Sequence, residues 1–243
     1  VTDRTIFRLT GDDARDFLQG LVTNDVKKLD QGLVYAALLT PQGKYMADFF
    51  LVPEGENILI DVSSDLAAML FQRLSMYKLR AQVTLEETDL TVKRGTGDLP
   101  DGAFADPRHP EMGWRLYGAE GGDDGSDWTA LRVTHLVPET GVELTPDSFI
   151  LEAGFERLNG VDFRKGCYVG QEVTARMKHK TELRKGLARV SVEGDAATGD
   201  KILNGVKEAG ELLSRAGDEA IAYLRFDRAK DDMQAGDAVV RRL

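Results

Sequence analysis

Two hydrophobic periods run along this 243-residue chain, and the change from one to the other marks out its elements. Residues 33–39, LVYAALL, and 45–52, YMADFFLV, are nearly continuous apolar runs of strand length. TPQGK between them supplies the proline and glycine of a tight turn. Residues 57–62, NILIDV, predict a third strand. In SSDLAAMLFQRLSMY the period lengthens, and Leu66, Met69, Leu70, Leu74 and Tyr77 fall on one side of a helix. Upstream, Ala14, Phe17, Leu18 and Leu21 recur at helical spacing, with Asp12 and Asp13 placed for the helix N-terminus. Two more strands are predicted near 81–86 and 90–94. The β-β-β-α-β order predicts an α+β layer with a helix packed on a mostly antiparallel sheet.

Residues 95–125 are rich in Gly, Asp and Pro and read as loops around short strands. AEGGDDGSD, at 119–127, is the best candidate for an insertion or a mobile loop. Helices are predicted over 127–136 and over Ser148–Leu158, with a short helix or turn after 172. From about 183 the texture becomes short strands and glycine turns. In LARVSV, Ala188, Val190 and Val192 alternate with Arg189 and Ser191, as in a half-buried strand. The predicted organisation is a body over 1–180 and a small all-β, barrel-like domain over 181–243.

Composition narrows the function classes. Hydrophobic residues make up 42% and charged residues 30%, which is globular rather than disordered. No apolar run reaches the length of a membrane span. The opening VTDRTIFRLTGDD has the features of neither a secretory nor a transit peptide. A single cysteine excludes an internal disulfide framework and points to a reducing compartment, hence a cytoplasmic address. A net charge of −10 argues against nucleic acid as a partner. Residues 164–185 depart from that average, with seven cations and two anions. Such an island reads either as an anion-binding site or as a solvated basic surface.

Several catalytic motifs are absent. GTGDLP at 95–100 has Pro100 where a dinucleotide loop needs its third glycine. There is no P-loop, no G-x-S-x-G, and no zinc-ligand spacing among His109, His135, His179 and the one cysteine. What remains is RKGCYVGQEVTAR at 164–176. Gly166 and Gly170 permit positive φ and close backbone approach, so a tight turn can present Cys167. Arg164 and Lys165 would favour its thiolate. From spacing alone, Cys167 reads first as a small buried side chain in a packed turn, and second as a reactive thiol.

KGCYVGQEVTAR resembles the signature of the YgfZ family, folate-binding proteins implicated in iron–sulfur cluster maintenance and related to the glycine-cleavage T-protein. Lys165, Gly166, Cys167, Tyr168, Gly170, Gln171 and Glu172 match its core without a gap. LTGDDARDFLQGLVTNDVKKL, ALLTPQGKYMADFFL and LEAGFERLNGVDFRKGC are similar to other segments of that family. The resemblance implies a T-protein-like body of two interwoven α+β subdomains, one of them ferredoxin-like, with a C-terminal β-barrel. It implies a tetrahydrofolate-type cofactor, whose anionic glutamate tail would dock near the cationic segment. It implies iron–sulfur proteins or assembly factors as partners. Catalytic roles would fall to Cys167 and Asp48. Cofactor binding would fall to Lys165, Tyr168, Gln171, Glu172, Arg176 and Asn24. The T-protein pattern has two adjacent aspartates where this chain has Ala47–Asp48. Aminomethyltransferase activity is therefore the second reading, and a folate-binding module without catalysis is a third.

Overall fold

The computed structural model describes residues 3–179 and 182–243. The chain forms two compact units. One comprises Val1–Ser126 and Glu156–Val173, the other Asp127–Phe155 and Thr174–Leu243. The segment 127–155 thus groups with the barrel, where the sequence reading placed it in the body.

The first unit is built on a five-stranded antiparallel sheet. Its strands are β1 (Arg4–Thr10), β2 (Val34–Leu39), β3 (Tyr45–Glu54), β4 (Asn57–Ser63) and β5 (Thr84–Glu87), in the order β2-β3-β4-β1-β5. Helices α1 (Ala14–Gln19) and α2 (Ser64–Lys78) cover one face. Because side chains alternate along a strand, Ala47, Phe49 and Leu51 of β3 enter this core with Ile58, Ile60 and Val62 of β4. From α2, Ala67, Leu70 and Leu74 are buried, with Leu66, Met69 and Tyr77 partly buried beside them, as the spacing predicts. Each fully buried aliphatic or aromatic side chain of this kind is worth about 1.5–3 kcal/mol. Asp13 does not cap α1 with its side chain; its carboxylate accepts from the Gln82 N–H at 2.7 Å.

A second sheet of this unit joins β6 (Thr91–Gly95), β7 (Phe104–Ala105), β8 (Trp114–Gly118) and β9 (Gly122–Asp123) in the order β7-β8-β6-β9. The aspartate-rich loop that follows is tied down: Asp124 Oδ2 accepts from Thr96 N–H at 2.6 Å and from Thr96 Oγ1 at 2.9 Å.

In the second unit α3 (Trp128–His135) begins at Asp127, whose carboxylate accepts from Ala130 N–H at 2.9 Å. The helix predicted over Ser148–Leu158 does not form. Gly154 takes φ +79°, and the N–H groups of Ala153, Gly154 and Phe155 reach back to Phe149, Leu151 and Ile150, giving consecutive turns of unequal size. Helix α4 (Gln171–His179) follows the signature and carries residues of both units. Strands β10 (Lys185–Glu193), β11 (Lys201–Asn204), β12 (Lys207–Ala216), β13 (Glu219–Arg225), β14 (Met233–Ala235) and β15 (Ala238–Arg242) close into a barrel in the order β10-β13-β12-β11-β14-β15. Ala188, Val190 and Val192 point into it with Leu212, Leu224 and Val240. The fold class is thus α+β with a C-terminal closed β-barrel.

Candidate functional site

The face of the five-stranded sheet away from α1 and α2 carries polar groups. Cross-strand register aligns Tyr35 on β2 with Phe50 on β3, and Phe50 with Asp61 on β4. Asp48 lies one step along β3 on the same face, because strand side chains of one face recur every second residue. It is buried, and two phenols converge on it. Tyr45 Oη donates to Oδ1 at 2.6 Å and Tyr35 Oη donates to Oδ2 at 2.9 Å. Burial, and then the Asp48 carboxylate beside it, raises the Tyr35 phenol well above its usual range, so the phenol stays protonated and donates. Ala47 belongs to the core on the opposite face. A second carboxylate at that position would point into the core, so its absence takes nothing from the Asp48 face.

Around Phe50 stands a charge network that the sequence reading missed. The Arg4, Arg108 and Arg115 guanidinium carbons lie 5.9, 4.8 and 3.9 Å from its ring centroid. Asp61, wholly buried, accepts from Arg4 Nε at 2.6 Å, Tyr117 Oη at 2.8 Å and Arg115 Nη1 at 3.1 Å. Asp106 accepts from Arg108 Nη2 at 2.8 Å and from Arg115 Nε at 3.3 Å. Burial pushes the Asp106 carboxyl up, but Arg108 and Arg115 outweigh it and hold the group below its ordinary value. Arg94 is lowered to about 10, by burial first and by neighbouring Arg115 second. The available signal was Asp61 itself, a carboxylate inside the apolar run NILIDV. Arg4, Arg108 and Arg115 carry no local pattern.

The signature region differs from its expectation in several places. Cys167 is exposed, so the packed-turn reading fails. Lys165 is buried, and its ammonium donates to the carbonyls of Val22 at 2.5 Å, Gln19 at 2.8 Å and Asn24 at 2.9 Å. The lysine ties the signature to the loop after α1; it is committed there rather than to the Cys167 thiol or to an anionic tail. Burial lowers its pKa to about 8. Tyr168 is buried with its ring 5.2 Å from that ammonium. Of the other segment cations, Arg164, Arg176 and Lys178 are exposed, Lys180 lies outside the described residues, and Lys185 opens β10. The segment runs through both units. Gln171, half-buried, and exposed Glu172 open α4, with Arg176 a turn later.

The two glycines are not equivalent. Gly166 has neither positive φ nor a heavy atom within 4 Å of where a Cβ would stand. Gly170 takes φ +82°, and a Cβ there would stand 2.6 Å from Thr40 O. Gly43 of the β2–β3 turn takes φ +75°, and a Cβ there would meet Val173 at 2.8 Å. The glycine hairpin and the signature therefore meet backbone to backbone.

Asn24 is buried and saturated. Its Nδ2 donates to the carbonyls of Tyr35 at 2.8 Å and Asn159 at 2.6 Å, while its Oδ1 accepts from Asp25 N–H and from Lys28 Nζ, both at 2.9 Å. It shapes a cleft of about 560 Å³ whose walls include Lys28, Tyr35, Phe104, Pro107 and Asn159. That volume is in the range of small-molecule sites. Tyr35, a buried residue of its wall, is the phenol that donates to Asp48, which does not itself line the cleft.

Residues 184–242 match the family described as "CAF17, C-terminal beta-barrel domain". The chain is 34% identical over 225 residues to "Iron-sulfur cluster assembly factor IBA57 homolog, mitochondrial" of Mycosarcoma maydis, with 79% of this chain and 56% of the relative covered. It is 32% identical over 232 residues to the mouse protein "Iron-sulfur cluster assembly factor IBA57, mitochondrial", covering 79% and 65%, and 33% identical over 224 residues to the human one, covering 76% and 63%. The chain thus spans between about half and two thirds of the length of these curated relatives. The glycine cleavage system aminomethyltransferase T of Bartonella henselae has the same fold, with a TM-score of 0.80 at 13% identity over all of this chain and 83% of that one. The chain is thus similar in sequence to these IBA57 relatives, its residues 184–242 match the CAF17 barrel family, and its fold is that of the aminomethyltransferase T. The expected cytoplasmic address is corrected by these names, since the relatives are named as mitochondrial proteins. A lone thiol is compatible with any reducing compartment, and the cytoplasm is not the only one.

Proposed function

We propose that this chain is a YgfZ-type, tetrahydrofolate-binding protein that assists assembly or repair of iron–sulfur clusters. The similarity to relatives named as iron–sulfur cluster assembly factors carries the reading. The partners are accordingly iron–sulfur proteins or other assembly factors, and the cluster is cargo. Folate binding rests on the match of residues 165–172 to the signature and on the fit of the Asp48 region. Asp48 is a buried carboxylate held by Tyr35 and Tyr45, an acceptor of the kind that suits the N–H edge of a reduced pterin. The cleft of about 560 Å³ has room for a bicyclic ring, with Phe104 to flank it. When bound, tetrahydrofolate supplies a one-carbon carrier. The chain's own contribution is to orient it through Asp48 and to hold that carboxylate in place with two phenols.

Cys167 is the group free to meet a partner, because it is exposed while Lys165 anchors the loop beneath it. Anaerobic titration of the full chain with tetrahydrofolate, followed by tryptophan fluorescence, tests the folate part of this reading. Saturable one-site binding is expected; no binding up to millimolar ligand would refute it. The second reading, aminomethyl transfer, shares the fold alone. Release of ammonia and methylene-folate from an aminomethyl-loaded carrier protein would establish that activity instead.

A further inference from the structure

The outer wall of the barrel holds a second cleft, of about 440 Å³, within the second unit. Its construction is electrostatically odd. Strands β10 and β13 pair so that Lys185 lies directly opposite Arg225. Like charges at opposed positions repel and destabilise a sheet. Among the described residues the Lys185 side chain makes no hydrogen bond or ion pair, and its ammonium sits 6.0 Å from the Tyr223 ring centroid. Arg225 Nε is shielded from water and has no hydrogen-bond acceptor; an Asp227 oxygen stands 3.6 Å away. A third cation, Arg228, donates from Nη1 to the Glu208 main-chain carbonyl at 2.9 Å, which leaves its charge without a carboxylate among the described residues.

The remaining walls favour an extended ligand. Gly210 of β12 contributes no side chain, and a Cβ there would come within 2.2 Å of Tyr223 O. Tyr223 presents its ring, with its hydroxyl donating to Glu152 at 2.6 Å. Glu211 and Glu208 form the far wall, and both pair with Lys201, at 2.6 and 3.7 Å. The groove thus sets Lys185 and Arg225, the latter with only a long contact to Asp227, beside Arg228 on the Glu208 main chain, while Glu208 and Glu211 pair with Lys201 and disfavour a dense polyphosphate. It accommodates a peptide whose carboxylates meet the cations and whose main-chain N–H groups face the glutamates.

We propose that this groove on the barrel wall, formed by Lys185, Arg225, Arg228 and Tyr223, binds a carboxylate-rich peptide segment of a partner protein. The reading is independent of folate binding and of cluster assembly.

The test is calorimetric titration of the full chain with a tetraglutamate peptide at low ionic strength, with inorganic phosphate as a second arm. The peptide should bind, and raising salt to about 0.5 M should weaken it severalfold by screening. Lys185→Gln and Arg225→Gln should each lower affinity about tenfold, the loss of one charge-assisted contact. Without peptide, both variants should melt at or above the wild-type temperature, because each relieves a like-charge pair. Unchanged peptide affinity in the variants would overturn the proposal. So would phosphate binding as tightly as the peptide, which would mark an adventitious small-anion site. A clear fall in the ligand-free melting temperature would also overturn it, by showing the cations already compensated within the fold.

Discussion

Asp48 carries the residue-scale account of the ligand. Asp48→Asn keeps the shape but turns one acceptor atom into a donor facing a phenol, and it removes the charge that would meet an N–H edge. Hydrogen bonds to a charged group are worth about 1.5–3 kcal/mol, so tetrahydrofolate affinity should fall by about 10- to 150-fold. Titrating the variant beside wild type measures this, and equal affinities would remove Asp48 from the site. Lys165 was the least legible residue. Its sequence neighbours paired it with Cys167, whereas its ammonium bonds the carbonyls of residues more than 140 positions away. Lys165→Met leaves those carbonyls short of a donor and should cost about 2–4 kcal/mol in denaturant unfolding. Its pKa is about 8 in the fold against 10.5 ordinarily. Between those values the unfolded chain binds the extra proton, so the residue's contribution to stability rises with pH. The stability gap between wild type and Lys165→Met should therefore widen from pH 8 to 10.5. A gap that narrows over this window would contradict the buried-ammonium picture. Cys167 is exposed, so Cys167→Ser should change unfolding stability by no more than about 0.5 kcal/mol. The same variant should fail to restore iron–sulfur enzyme activity in a deletion strain, because serine lacks soft-metal affinity and sulfur nucleophilicity. Full restoration would reject a role for the thiol.

At the scale of elements, hydrophobic period located most strands and helices α1 and α2 of the first unit, because each buries one regular face. It failed over 148–158, where apolar spacing resembles a helix but Gly154 turns the chain through positive φ. The signature and the glycine hairpin were each visible in the sequence; their contact was not, since it depends on two missing Cβ atoms facing each other across the unit. Gly170→Ala brings a side chain against the Thr40 carbonyl in an unfavourable φ region. It should destabilise by about 2–4 kcal/mol, whereas Gly166→Ala, with open space around it, should stay within about 0.5 kcal/mol. Chemical denaturation of the two variants checks this, and equal effects would show that the hairpin does not set the signature's position.

On the scale of the molecule, a mostly antiparallel sheet with a helix packed on it and a barrel-like C-terminal domain were both within reach of pattern reading. The network joining Arg4, Asp61, Arg115, Asp106 and Arg108 was not, because its members come from separate strands and loops with no shared spacing. The fold by itself is shared with an aminomethyltransferase, so fold cannot choose between one-carbon transfer and cluster assembly. Deletion of the gene, followed by assay of several iron–sulfur enzymes alongside glycine cleavage, separates them most directly. A role in cluster assembly predicts that iron–sulfur enzyme activities fall while glycine cleavage is maintained, and that wild-type protein restores them. Loss of glycine cleavage with intact iron–sulfur enzymes would contradict it.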